Sequence, residues 1–317
     1  MRILMVRRVS GAFGFITDGM VNALRSKGHE VKRFDGERKT WDEFDPDVYI
    51  GCSGHREIIP TEGRRAKVAI HVNPYGPVSI PGGINESQDS VDWVKKQKPD
   101  VVFGYGFDED AILWSYWHQR ANTRWIPMPT AADATIFSDL GQVRNNQIIY
   151  LGGRWTYKAK TIDAYLLPVL NSFRGKWKLY GWGDWPEGIS SGELPQYEVN
   201  EFYNTGKIAP CISEIHTHSH NIDIPERVFK ACLAGCLPIH DTVPVLSRII
   251  PGLPIAKDPN DFLALHAHYL APASEKEIKE KSVRFRDHVA KNHTYHHRLS
   301  RLLNGLGFLA EANGLIA

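Results

Sequence analysis

Short apolar runs of strand length alternate with stretches of helical period along this chain, and that alternation is the strongest constraint on its fold. Residues 3–6 form the first run. The small-residue turn Ser10-Gly11-Ala12-Phe13-Gly14 follows, then a helical stretch at 17–27 that Gly28 ends, then a second run at 31–34. Further runs fall at 48–51, 68–72 and 101–104, with helical stretches at 87–97 and 108–120. Strands joined by helical crossovers pair parallel, so the pattern predicts an α/β fold with a mainly parallel sheet. It starts afresh at 148–151, continues through a helix at 163–172 and strands at 177–180 and 208–212, and ends in helices at 259–270 and 275–303. Two domains are expected, and 317 residues suffice for two cores.

Charge and hydropathy exclude several classes. A formal net charge of +2 does not by itself imply a polyanion partner. No apolar run approaches the roughly 20 residues that cross a bilayer. Residues 1–6 run straight into Arg7 and Arg8, so they read as a first strand and not a signal peptide, and a cytoplasmic location is expected. The four cysteines, Cys52, Cys211, Cys232 and Cys236, lack metal-ligand spacing and read as buried free thiols.

The densest cluster of signals lies at 221–241. Asp223 reads as a helix N-cap, Pro225 suits the first turn, and Glu226 stands three residues after Asp223, the spacing of a capping box. Val228 and Cys232, with Phe229 and Leu233, give the helix an apolar side; Gly235 ends it, and Leu237-Pro238-Ile239 is a buried strand. A helix start carries unpaired N–H groups and a partial positive charge suited to phosphate, to which Arg227 and Lys230 would add.

This stretch resembles the donor-site signature of GT-B glycosyltransferases, in particular group-1-like enzymes of the spore-maturation type and related phage enzymes. The match is Glu226-Arg-Val-Phe-Lys-Ala-Cys-Leu-Ala-Gly-Cys236, with Lys230 where the family has a second glutamate. Arg154 and Lys158, after Gly152-Gly153, resemble the family's G-R-x(4)-K pair; the spacing is one residue short, which leaves Lys160 as a substitute. Residues 126–137, through Asp133 and Phe137, resemble the linker between the two GT-B domains. The resemblance implies two Rossmann-like domains facing each other across a cleft. The expected bounds are 1–135 for the acceptor domain, 136–290 for the donor domain, and 291–317 for a helix returning to the first.

The implied activity is sugar transfer from a nucleotide-sugar, a UDP-sugar as in most such enzymes, to a hydroxyl acceptor, without a metal and with retention. Arg154 and Lys158 would neutralise the departing diphosphate, and Glu226 would either touch the donor sugar or serve its own helix as a cap. Donor contacts are expected from Gly11, Gly14, Gly153, Lys160, Asp223, Pro225, Arg227 and Lys230. The alternatives are a sugar-nucleotide hydrolase or epimerase on the same fold, and a non-catalytic nucleotide-binding module.

Other residues carry competing readings. His71, at a strand end, is either structural or a hydrogen-bond donor to the sugar and general base. His216, His218 and His220 alternate and on a strand would share a face, a spacing that ligates Zn²⁺. Asp45-Pro-Asp47 and Asp108-Glu-Asp110 read as surface carboxylates. The resemblance to phage enzymes implies hydroxylated pyrimidine in DNA as one acceptor, beside a polysaccharide, a protein or a small molecule; the basic stretch 279–301, Arg7-Arg8 and Arg64-Arg65-Ala-Lys67 fit such a polyanion, with Trp114, Trp117 and Trp125 available to stack on a displaced base.

Overall fold

The structure is a computed structural model that describes residues 1–8, 11–72, 87–106, 117–220 and 224–317. The chain divides into two compact units, one of residues Met1–Thr135 with Tyr295–Ala317, the other of Ile136–Thr294. Both are parallel α/β units.

The first unit holds six parallel strands in the order β2-β1-β3-β4-β5-β6: β1 (Arg2–Met5), β2 (Glu30–Arg33), β3 (Val48–Cys52), β4 (Lys67–His71), β5 (Val101–Gly104) and β6 (Arg124–Pro127). Successive side chains leave a strand on opposite faces, and here both faces are buried. Ile3, Met5, Ile50 and Phe103 enter one core with the Gly11–Ser26 and Tyr295–Gly305 helices. Leu4, Tyr49, Ile70 and Val102 enter the other.

Several sequence expectations change here. The first helix begins at Gly11 and not at residue 17, so Gly11 and Gly14 lie in its first turns and not in a turn before it. Residues 126–127, expected in the linker, end strand β6 instead; it sits at the sheet edge, where the N–H donor missing at Pro127 is tolerated. Trp117 and Trp125 are not exposed stacking platforms: they are 0% and 1% accessible and pack in the second core. Trp114, Asp108 and Asp110 lie outside the described residues.

The second unit holds four parallel strands in the order β10-β9-β7-β8: β7 (Asn146–Leu151), β8 (Trp177–Tyr180), β9 (Gly206–Cys211) and β10 (Leu237–His240). After β7 the helix starts at Thr156, seven residues earlier than expected, and runs through a π turn at Ile162–Leu166 to Ser172. The expected single helix at 275–303 is two, Glu275–Asn292 and Tyr295–Gly305, broken at His293-Thr294; the second belongs to the first unit with Leu309–Ile316.

Part of the basic stretch is internally paired. Lys281 pairs with Glu277 and Lys276 with Glu280; Arg286 pairs with Asp139 and Asp287. Arg298 is buried and donates to the Pro129 and Thr130 carbonyls. All four cysteines are buried free thiols, with burial pushing Cys211 and Cys236 up to about 12. No described helix is long and apolar enough to cross a membrane.

Candidate active site

Open parallel sheets take their ligands at the carboxyl ends of the strands. In the second unit, the residues after β7, β9 and β10 meet there.

β7 ends at Leu151 and is followed by two glycines. A Cβ on Gly152 would stand 2.6 Å from Arg227 Nη2, and one on Gly153 would stand 2.5 Å from the Trp182 indole. Neither position has room for a side chain, and the guanidinium and the indole close in on the bare backbone. Arg154 follows, but its guanidinium is committed. It grips Asp163 with both arms, at 3.0 and 2.8 Å, and donates to Asp184 O at 2.6 Å. That pairing holds its charge more firmly than usual.

Lys158 differs. It sits in the first turn of the Thr156–Thr161 helix, only 5% accessible, and its ammonium has no hydrogen-bond or ion-pair partner among the described residues. Burial, with Arg227 nearby, lowers it from the ordinary 10.5 to about 7, against the opposing pull of Glu214, Asp241 and Cys211. Lys160, the substitute that the spacing allowed, is exposed.

The second motif is also rearranged. The helix spans Arg227–Leu233, with Glu226 at its N-cap position in helical conformation and no side-chain cap bond. The Glu226 carboxylate pairs with Lys230 one turn on. A lysine where the family has glutamate thus forms a salt bridge with the remaining carboxylate. Asp223 lies outside the described residues, and Pro225 is half-buried. Arg227 points back toward β7, donating to Tyr150 Oη at 2.7 Å and Ile212 O at 3.2 Å. Gly235, at φ +75°, ends the helix in a Schellman turn: Gly235 N–H reaches Cys232 O and Cys236 N–H reaches Ala231 O.

Asp241, just past β10, was not singled out in the sequence. It is fully buried and accepts from Ser213 N–H at 2.6 Å and His218 Nε2 at 2.9 Å. His240 Nδ1 lies 2.8 Å from its other oxygen, without the alignment of a hydrogen bond. Burial would raise this carboxyl, but the two imidazoles outweigh it and hold it well below the usual carboxylate range. Its only sequence signal is a carboxylate directly after an apolar strand.

The histidine triplet is not on a strand. Residues 215–220 are helical, so alternation does not place His216 and His218 on one face as it would on a strand. His216 is buried beside Glu214, while His218 serves Asp241.

In the first unit, His71 ends β4, buried and ringed by Phe13, Phe103 and Tyr105 at 4.9, 5.3 and 4.8 Å between centroids. Cys52 Sγ lies 3.9 Å from its Nδ1. Gly14 is buried in the first helix. Asp47 accepts from Arg2 N–H and Asp45 pairs with Arg2, the structural roles expected of surface carboxylates.

A model of the family described as Glycosyl transferase-like matches residues 163–304. Among solved structures, Anabaena HepE in complex with UDP and glucose superposes with a TM-score of 0.65 at 9% identity, over 97% of this chain and 99% of that one. T4 phage BGT in complex with UDP and Mn²⁺ gives 0.64 at 14% identity, over 99% and 100%. The DNA modifying enzyme β-glucosyltransferase gives 0.62 at 12% identity, over 99% and 100%. No curated protein matches the sequence. The two parallel sheets and these superpositions define the GT-B fold. The family match covers residues 163–304, most of the second unit and the start of the returning helices, and includes the Arg227–Leu233 helix.

Proposed function

We propose that the protein transfers a sugar from a UDP-sugar to a hydroxyl acceptor, with the diphosphate received at the carboxyl edge of the second unit's sheet. The observation that carries this reading is Lys158, a buried lysine with no partner among the described residues, beside Arg227 and a diglycine. A departing diphosphate is the ligand such a site is suited to: it restores charge to the ammonium and is met by backbone that no Cβ obstructs. The UDP seen with HepE and T4 phage BGT supports the choice of donor.

Protein cations can stabilise the leaving group, so we read the reaction as metal-independent. Retention of configuration follows the family resemblance and requires no dedicated base, leaving His71 outside the chemical step. Glu226, tied to Lys230, is assigned to the donor sugar's hydroxyls. Incubation with UDP-glucose, with and without EDTA and with and without a polyol acceptor, tests all of this. UDP release that persists in EDTA and rises with acceptor is expected. Abolition by EDTA with rescue by Mn²⁺ overturns the metal-independent assignment, and release unaffected by any acceptor points to the hydrolase.

A DNA acceptor is the second reading. Its support is the likeness to the DNA modifying β-glucosyltransferase, since Trp117 and Trp125 are buried and much of the basic stretch is internally paired. Titration on duplexes with and without hydroxymethylated pyrimidines, at two salt concentrations, decides it. Sugar transfer only to the hydroxymethylated duplex, with binding that weakens steeply in salt, is the positive outcome.

A further inference from the structure

β8 ends at Tyr180, and the chain turns through Gly181-Trp182-Gly183-Asp184-Trp185-Pro186. This loop is fastened along its length. Gly181 N–H donates to Gly192 O at 2.8 Å, Arg154 N–H to Trp182 O at 3.0 Å, Asp184 N–H to Arg154 O at 3.1 Å, and Trp185 N–H to Gly183 O at 2.9 Å. Arg154 Nη1 adds its bond to Asp184 O. Trp185 meets the Tyr150 ring edge-on at 5.8 Å. The close approach leaves no room for side chains at the turn: a Cβ on Gly181 would stand 1.9 Å from Gly152 O, and one on Gly183, at φ +93°, 2.1 Å from Arg154 O.

On this hydrogen-bonded loop Trp182 stays 53% exposed. An indole is a large apolar surface, and leaving half of it in water forgoes the stabilisation that its burial would supply. Its inner face lies on Gly153, one residue along from the glycine that Arg227 approaches. A flat aromatic surface and a guanidinium thus flank the same two-residue backbone at the sheet's carboxyl edge.

We propose that Trp182 is the platform on which the nucleobase of the donor stacks, which makes it the residue that sets the affinity contributed by the base. The proposal rests on the nucleotide-sugar reading above. Stacking is tolerant of base identity because every base has a π-face. Trp182 therefore strengthens binding of nucleoside diphosphates as a class and contributes nothing to pyrophosphate.

Calorimetric titration of the full chain with UDP and with inorganic pyrophosphate tests it. Trp182→Ala is expected to weaken UDP binding about tenfold to a hundredfold and leave pyrophosphate within twofold, the range that loss of one stacked base implies. Trp182→Phe keeps most of the UDP affinity. It also removes a UDP-induced quench of tryptophan fluorescence that the wild type shows. Trp182→Ala binding UDP within twofold of wild type overturns the proposal and leaves the donor reading intact. Equal losses for UDP and pyrophosphate in both variants also overturn it, because they mark a collapsed loop. A wild type that binds pyrophosphate but gains nothing from UDP's nucleoside overturns it too. A wild type that binds neither overturns the donor reading and this proposal together.

Discussion

The two sheets end in contrasting electrostatic arrangements. After β1 in the first unit, Arg7 donates its N–H to buried Glu57 and its side chain lies 3.8 Å from the same carboxylate; Arg8 and Arg33 both pair with Asp18. Arg64 is spent on the Pro60, Gln97 and Lys98 carbonyls. After β7 in the second unit, Arg154 is likewise paired, but Lys158 is buried among Arg227, Glu214 and Asp241 without its own counter-ion. Cations were more conspicuous in the sequence of the first unit, yet the structure neutralises them. The difference teaches that a binding site shows itself through a charge the fold buries and leaves unpaired, because that arrangement costs stability and is retained only where a ligand restores the balance.

Removing Lys158 is the strongest way to break this contrast. Lys158→Met should lower kcat/KM about a hundredfold to a thousandfold, the effect of losing one preorganised donor to a leaving-group anion. The same change should stabilise the protein. Between about pH 7 and 10.5 the unfolded chain keeps a proton on this lysine that the folded chain releases, so wild-type stability rises with pH across that window. The gain in Tm from Lys158→Met should be full at pH 7 and below and fade toward pH 10.5. UDP binding at pH 8 should take up a proton, visible as a calorimetric enthalpy that depends on the buffer.

Asp241 comes next. Asp241→Asn removes a buried carboxylate from Ser213 N–H and His218 and should cost about 3 kcal/mol in urea unfolding at pH 7. Because its folded pKa lies below the unfolded one, its stabilisation is present above about pH 4 and lost as pH falls through the folded value. The deficit of the variant should therefore shrink in acid.

Arg154 sharpens the comparison within one loop. Arg154→Ala should lower kcat/KM about tenfold, less than Lys158→Met, since the guanidinium is already held by Asp163. Asp163→Ala should give a comparable loss, and the double variant should lose less than the product of the two. Activity of Arg154→Ala within twofold of wild type removes it from the diphosphate site. The smallest effect belongs to the first unit: Arg8→Ala, with a 70% exposed side chain, should change stability by less than about 1 kcal/mol and donor turnover by less than twofold.

The strands were largely legible because buried parallel strands are apolar runs, and nine of the ten among the described residues follow from sequence; the other, β6, overlaps the stretch from Ile126 that resembles the interdomain linker. Lys158 and Arg154 were legible as residue types at a strand end, but not their opposite fates, which depend on Asp163 and on burial that no local spacing encodes. The pairing of Glu226 with Lys230 was not legible, because a capping box is read from spacing alone and says nothing of a partner one turn on. Trp117 and Trp125 show the same gap from the other side. A tryptophan in a mixed-polarity stretch reads as exposed until the opposing strand is known.

The π turn at Ile162–Leu166 acts as a phase shifter. A π turn is one residue more than an α-helix needs there, and one residue advances a helix by about 100°. Between Arg154 and Lys158 the chain is one residue shorter than the family pattern, so a shortfall before the lysine is followed by a surplus after it. The surplus falls between Lys158, which faces the site, and the Leu167–Ser172 turns that bury Val169 and Leu170 in the core. Excising one residue from the π turn would leave both ends helical and apolar where they should be, yet rotate them out of step. Either the lysine would swing away from Arg227, or Val169 and Leu170 would turn toward water.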